Sequence, residues 1–268
     1  MTDLELQSRL KDLGLFAGIV DGKLEADSVI ALDALLNFGS VNAPRSWKRA
    51  RRILAAKQLI CRQDGIEVGA IDGLMGPQTA FAFEVYDARR QGKPDPVVTA
   101  RQRRVPTSVP GEVVSPWPRQ ADVEAFYGSI GGNQIGLSLP YPMKIAWDTR
   151  KVINRFPIHE KVHDSAWRCL EQIARKYNAS AREALGLDQF GGCLDVRRMR
   201  GGTAWSMHSW GIAIDFDPLR NSLHSNRGNA RLAQPDCHAF WEIWEAEGWL
   251  SLGRARDFDW MHVQAARL

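Results

Sequence analysis

SMHSWGIAIDFD, from Ser206 to Asp217, is the most informative stretch of the chain, because it sets a histidine ahead of an apolar run that carries two carboxylates. GIAIDFD alternates with period two, so Ile212, Ile214 and Phe216 share one face of a strand while Ala213, Asp215 and Asp217 share the other. The small residues Gly211 and Ala213 leave room above Asp215 on that second face, opposite the core. His208 stands seven residues before Asp215, ahead of the strand, where a turn folds its imidazole back over the open side. A nitrogen and a carboxylate oxygen then converge on one point, and a catalytic zinc site needs three such protein ligands. The C-terminal DFDWMHVQ supplies His262 in a second strand-like stretch, three residues after Asp259. An odd separation puts the two on opposite faces of a strand, so Asp259 is expected in the loop that leads into it.

The surrounding sequence reads as mixed α and β from about Trp117 onward. KVHDSAWRCLEQIARKYN repeats apolar residues at Val162, Ala166, Leu170, Ile173 and Tyr177, the spacing of one helical face. CHAFWEIWEAEG does the same with Phe240, Ile243 and Trp244, and Gly248 suits the left-handed residue that ends a helix. Between Gly92 and Arg119, six prolines and little periodicity mark a linker stiffened towards extended geometry. Its Arg101, Arg103 and Arg104 read as a solvated charge run, with contact to an anionic polymer as the alternative. The expected organisation is a helical domain over 1–91, a linker over 92–116 and an α+β domain with a small antiparallel sheet over 117–268.

With 268 residues, 44% hydrophobic and 25% charged, the chain falls in the ordinary globular range, which excludes a fibrous or wholly disordered protein. A net charge of +4 and a pI near 9.0 suit an acidic polymer as partner without selecting one. No recognised nucleic-acid-binding motif accompanies the charge, and no nucleic-acid partner is expected. Cys61, Cys169, Cys193 and Cys237 form no CxxC pair, which argues against a cysteine zinc site and for four reduced thiols. MTDLELQSRLKDLG does not read as a secretory signal, and no apolar run reaches 18 residues, so synthesis in the cytosol without a membrane anchor is expected.

The first 90 or so residues hold a weak internal repeat. GIVDGKLEADSVIALDALL, from Gly18, aligns with GAIDGLMGPQTAFAFEVYD, from Gly69. Each has an Asp-Gly turn (Asp21 and Gly22, then Asp72 and Gly73) followed by a hydroxyl residue, Ser28 or Thr79, expected to cap the next helix. Two helix-turn-helix units follow. The segment resembles a peptidoglycan-binding domain, a small three-helix module with an Asp-Gly, a second glycine, a threonine and an alanine-rich helix. The second copy, IDGLMGPQT, fits that signature, whereas Glu25 replaces the later glycine in the first. The resemblance implies wall binding through Asp21, Gly22, Asp72, Gly73 and Thr79; an unrelated small helical domain is the alternative.

Ser206-Met-His208-Ser-Trp-Gly211-Ile-Ala213-Ile-Asp215, followed by Asp259-Trp-Met-His262, resembles the zinc peptidase family that includes D-alanyl-D-alanine carboxypeptidases and dipeptidases and the phage L-alanyl-D-glutamate endopeptidases. The resemblance extends upstream through PYPMKIAWD and FGGCLDVRRMRGGTAWSMH. It implies Zn2+ held by His208, Asp215 and His262, with Asp259 as general base in preference to the neighbouring Asp257. It further implies an arginine for an oxyanion or a substrate carboxylate, Arg197 first and Arg200 second, and a substrate-contacting or site-orienting role for Ser206. Val263 and Gln264 stand where relatives carry an aromatic and a glutamate, which leaves the groups that orient the ligands undetermined. The remaining histidines, His159, His163, His224 and His238, read as structural, Asp217 as the cap or solvated end of its strand, Cys193 as packing, and Trp205, Trp210 and Trp260 as core rather than cleft.

The two modules together resemble a phage or prophage endolysin. That resemblance implies a monomer acting on bacterial peptidoglycan, held in the host cytoplasm until a holin or similar partner gives it access to the wall. A D,D- or L,D-carboxypeptidase and a catalytically inactive wall-binding virion protein remain as alternatives.

Overall fold

Thr2 starts the first helix, α1 (Asp3–Asp12), through a reciprocal cap: its Oγ1 accepts from the Glu5 amide at 3.2 Å and the Glu5 carboxylate accepts from the Thr2 amide at 2.6 Å. Helices α2 (Ala26–Phe38), α3 (Arg49–Gln63) and α4 (Pro77–Arg90) complete a helical unit, Met1–Pro96, and Val97–Leu268 forms a second unit. The computed structural model describes residues 1–41, 43, 46–98, 101 and 115–268. Most of the proline-rich stretch, including Arg103 and Arg104, lies outside the described residues. No described helix is long and apolar enough to cross a membrane.

The helical unit is built twice over. Leu6, Leu10, Leu32, Leu35, Leu36, Leu59 and Ile60 are buried in its interior. Among them sit two buried glutamines at matching places in the repeat. Gln7 accepts at Oε1 from the amides of Asp21 and Gly22 at 3.0 and 2.6 Å, and donates from Nε2 to the Lys23 carbonyl and the Ser28 hydroxyl at 2.7 and 3.1 Å. Gln58 repeats the arrangement: Oε1 accepts from Gly73 at 2.8 Å, and Nε2 donates to the Leu74 carbonyl and the Thr79 hydroxyl at 3.1 and 2.9 Å. Each glutamine thus fastens an Asp-Gly loop to the helix before it. Gly73 has φ +67, and a Cβ there would lie 2.2 Å from the Arg51 carbonyl oxygen, so only glycine fits the second loop.

These bonds correct the expected caps. Glu25 and Gly76 occupy the N-cap positions, and Ser28 and Thr79 lie inside the first turns as hydroxyl acceptors for the glutamines. Pro77 explains the earlier start of α4, since its fixed φ is suited to the first helical position. The unit has four described helices, as two helix-turn-helix units require, where the resemblance implied three. Replacing Gln58 with alanine strands the Gly73 amide and the Thr79 hydroxyl in the interior. The expected loss is about 2–3 kcal/mol, read as a lower urea midpoint for this unit; a change under about 0.5 kcal/mol would mean that the loop is held by other contacts.

In the second unit, β1 (Gln134–Ile145) and β2 (Asp148–His159) form a long antiparallel hairpin. It follows a short helix, α5 (Val123–Tyr127). The chain then crosses through α6 (Glu160–Lys176) and α7 (Ala179–Leu185) to β3 (Gln189–Gly192), which pairs in parallel with β1. Strand β4 (Ala213–Phe216) pairs antiparallel with β3 and β6 (His262–Gln264), and β5 (Leu250–Ser251) closes the far edge, giving the order β2-β1-β3-β4-β6-β5. The unit is therefore α+β with a mostly antiparallel sheet. Helix α6 buries Val162, Ala166, Leu170 and Ile173, the face its periodicity predicts.

Helix α8 (His238–Ala246) lays Phe240 and Trp244 against Phe216, with ring centroids 5.1 and 5.8 Å apart. Gly248 beyond it has the expected positive φ, and a short α9 (Leu252–Arg256) leads towards β6. All four residues of β4 are buried, which corrects the reading of Asp215 on an open face. Asp217 is likewise not solvated. It is buried with φ 45, and its carboxylate accepts from Arg220 at 2.5 Å.

Candidate metal centre

The register of β4 against β6 sets Asp215 directly opposite His262. Cross-strand neighbours on one face lie within side-chain contact. Met207 to Trp210 form a single 3-10 turn ahead of β4, in which the Ser206 hydroxyl accepts from the His208 amide and Gly211, at φ 66, turns the chain into the strand. That turn returns His208 to the same point. Asp215 Oδ1 lies 3.1 Å from His208 Nε2 and 2.9 Å from His262 Nδ1, and the two nitrogens are 3.2 Å apart.

Hydrogen bonds on the far sides of the rings settle the tautomers. His208 Nδ1 lies 2.7 Å from the Cys193 carbonyl, which can only accept, so this nitrogen carries the proton and Nε2 presents a lone pair. His262 Nε2 lies 3.1 Å from Gln264 Oε1, while Gln264 Nε2 donates to the Ala266 carbonyl at 2.9 Å and fixes the amide orientation. His262 Nδ1 is therefore bare as well. In the neutral rings, two lone pairs and a carboxylate oxygen thus face one point, an arrangement that a cation completes. The His, Asp, His set of nitrogen and oxygen donors suits zinc, and these are the atoms that would hold it.

Charges around the centre agree. Burial by itself would raise the Asp215 carboxyl, but positive charge carried by the His208 and His262 imidazoles holds it well below the ordinary carboxylate range. Burial would lower His262, yet the adjacent Asp215 carboxylate, which favours a proton on the facing nitrogen, raises it. Both directions describe a pocket that favours positive charge at its focus.

Asp259 lies in the expected loop, at φ 54, and its carbonyl accepts from the His262 amide at 3.0 Å. Its Oδ1 is buried without a hydrogen-bond partner among the described residues. Burial raises its carboxyl above the ordinary value, with His262, Arg200 and Arg101 pulling down and Asp215 pushing up. Asp257 is turned away: it accepts from the Arg227 amide and from Trp260 Nε1. A cleft over the centre is lined by Arg101, Arg197, Arg200, Ser206, His208, Asp259, His262 and Gln264, among others.

Arg197 donates from Nε to Asp195 at 2.8 Å, and its backbone is tied to Ser206 and Ser209 of the histidine turn. Burial, then the neighbouring Arg197, push the Arg200 guanidinium down to about 10. Trp210 and Trp260 are buried, Trp205 is packed under Arg198, and none of the three lines the cleft. His159 is structural, capping α6 and contacting the Tyr127 carbonyl at 2.9 Å. Asp21, Gly22, Asp72, Gly73 and Thr79 lie in the helical unit, bound into its glutamine-fastened loops.

Three contributors escaped the sequence reading. The Cys193 carbonyl is backbone and leaves no signal in side-chain pattern. Gln264 is two residues after His262 on one strand face, a spacing that does announce it. Arg101, read as part of a solvated charge run, is instead half-buried in the cleft.

A buried His, Asp, His donor set with an unpartnered carboxylate oxygen beside it is the arrangement of a hydrolytic metal centre. Residues 200–265 match the family model described as D-alanyl-D-alanine carboxypeptidase, and the match holds all three donors, Asp259, Arg200, Ser206 and Gln264. It supports a metallopeptidase of the peptidoglycan-acting kind. No curated protein and no solved structure matches the chain.

Proposed function

We propose that the chain is a modular phage or prophage endolysin that hydrolyses an amide bond of the peptidoglycan stem peptide, L-alanyl-D-glutamate first, with Zn2+ as cofactor. The observation that carries this reading is the convergence of two imidazole nitrogens and the Asp215 carboxylate, with Asp259 Oδ1 unpartnered among the described residues. Zinc in such a set activates water and polarises a carbonyl oxygen. Asp259 is the base that takes the proton of the attacking water and delivers it to the leaving amine, a role that its raised carboxyl suits. Arg197 and Arg200 supply fixed positive charge for the oxyanion or a substrate carboxylate. Ser206 holds the His208 turn in place.

In this proposal the helical unit binds the wall and raises the local concentration of bonds for a monomeric enzyme. A holin or similar partner carries it from the host cytoplasm to the wall. Because the matching family model is described as D-alanyl-D-alanine carboxypeptidase, cleavage at the stem terminus is the second reading. Digestion of purified peptidoglycan by the zinc-loaded chain, with the new ends identified by mass spectrometry, separates the two. New alanine C-termini with free glutamate amines are expected; free D-alanine alone would move the function to a carboxypeptidase, and wall binding without release would leave a binding protein.

A further inference from the structure

Arg101 comes to the cleft from the chain preceding the sheet, outside the segment that matches the family model. Its Nη2 donates to the Arg200 carbonyl at 2.9 Å, its Nη1 faces the Met199 sulfur at 3.6 Å, and its guanidinium carbon lies 5.6 Å from the centroid of Phe258. All of these partners are neutral. Nε is buried with no hydrogen-bond partner among the described residues. Arg197, by contrast, has the Asp195 carboxylate against its Nε. A half-buried guanidinium whose Nε is shut off from water, with no carboxylate in contact, is completed by an anion. Asp259 attracts Arg101 through space, and Arg197 repels it. Among the described residues that line the cleft, Asp259 is the only acidic one, and it must keep its carboxylate available to act as a base. The missing anion therefore arrives with the substrate, and a planar fork of donors selects a carboxylate.

We propose that Arg101 is a specificity-determining residue that binds a carboxylate carried by the substrate peptide, an inference that rests on the stem-peptide reading above. Three soluble stem peptides test it: one with free glutamate and C-terminal carboxylates, one with the glutamate carboxylate amidated, and one with the C-terminus amidated. Each is measured with the zinc-loaded full-length wild type, Arg101→Ala and Arg101→Lys, for kcat and KM, and for binding by calorimetry.

The wild type is expected to lose about 10- to 100-fold in affinity on amidation at one position, the range for hydrogen bonds to a charged group. Arg101→Ala should lose as much on the free peptide, mainly in KM, and become indifferent to amidation there; Arg101→Lys should recover part of the preference. The sensitive position identifies which carboxylate is bound. Equal losses of Arg101→Ala on all three peptides, or no loss on any, would overturn the assignment. A wild type that binds but cuts none of them would overturn the hydrolytic reading, while the binding comparison still decides for or against Arg101.

Discussion

His208→Ala and His262→Ala chains are expected to bind no Zn2+ at concentrations that saturate the wild type, and to hydrolyse no stem peptide. Either substitution removes one of the two bare nitrogens that face Asp215, leaving two donors where a catalytic site needs three. Loss of a buried side chain also lowers stability, so binding must be read separately from folding. Thermal unfolding with and without metal does this, because a ligand at a hundred times its dissociation constant stabilises the native state by about 2.7 kcal/mol. The wild-type midpoint should rise on adding Zn2+, and the midpoints of both variants, wherever they start, should stay put. A zinc-dependent rise of wild-type size in His262→Ala would remove that residue from the ligand set.

Asp259→Asn should behave in the opposite way, keeping the metal and losing turnover by about 10²- to 10⁴-fold. The amide preserves size, and asparagine tolerates the left-handed backbone at φ 54 as readily as aspartate. It cannot take a proton. Because burial disfavours the charged carboxylate here, neutralising it should not lower the unfolding temperature at neutral pH. Zinc content, unfolding midpoint and hydrolysis of a soluble stem peptide, measured on one preparation, check all three statements. A zinc-loaded variant with full activity would remove Asp259 as the base.

Much of the site was legible because strand periodicity carries real geometric information. Two residues placed by period-two reasoning, Asp215 and His262, are direct partners across β4 and β6, and the odd step from Asp259 to His262 correctly predicts a loop. The same reasoning failed for the openness of the Asp215 face. Alternation records side-chain direction, and it does not report that α8 covers one side of β4 while His208 and its turn fill the other. Pairing of β1 with β3 was beyond local pattern for a similar reason: it depends on where α6 and α7 return the chain. In the helical unit the repeat was visible, but its buried glutamines were not, since a polar residue on a helix gives no sign in composition that it faces inward. Arg101 illustrates the limit most sharply, because a non-periodic, proline-rich stretch offers no face from which to deduce burial.

The spacing of the ligands along the chain has a mechanical meaning. His208 and His262 are 54 residues apart, and Asp215 and His262 are 47 apart, so a metal held among them would act as a crosslink joining the last strand to the turn before β4. Such a clip shuts a long loop, whose freedom in the unfolded chain is what a crosslink removes. The β4 to β6 ladder it bridges has only three residue pairs. Coordination would add to the hydrogen bonds by which the C-terminal strand is held between β4 and β5. Loading the centre would therefore switch on chemistry and lock the end of the chain in a single event.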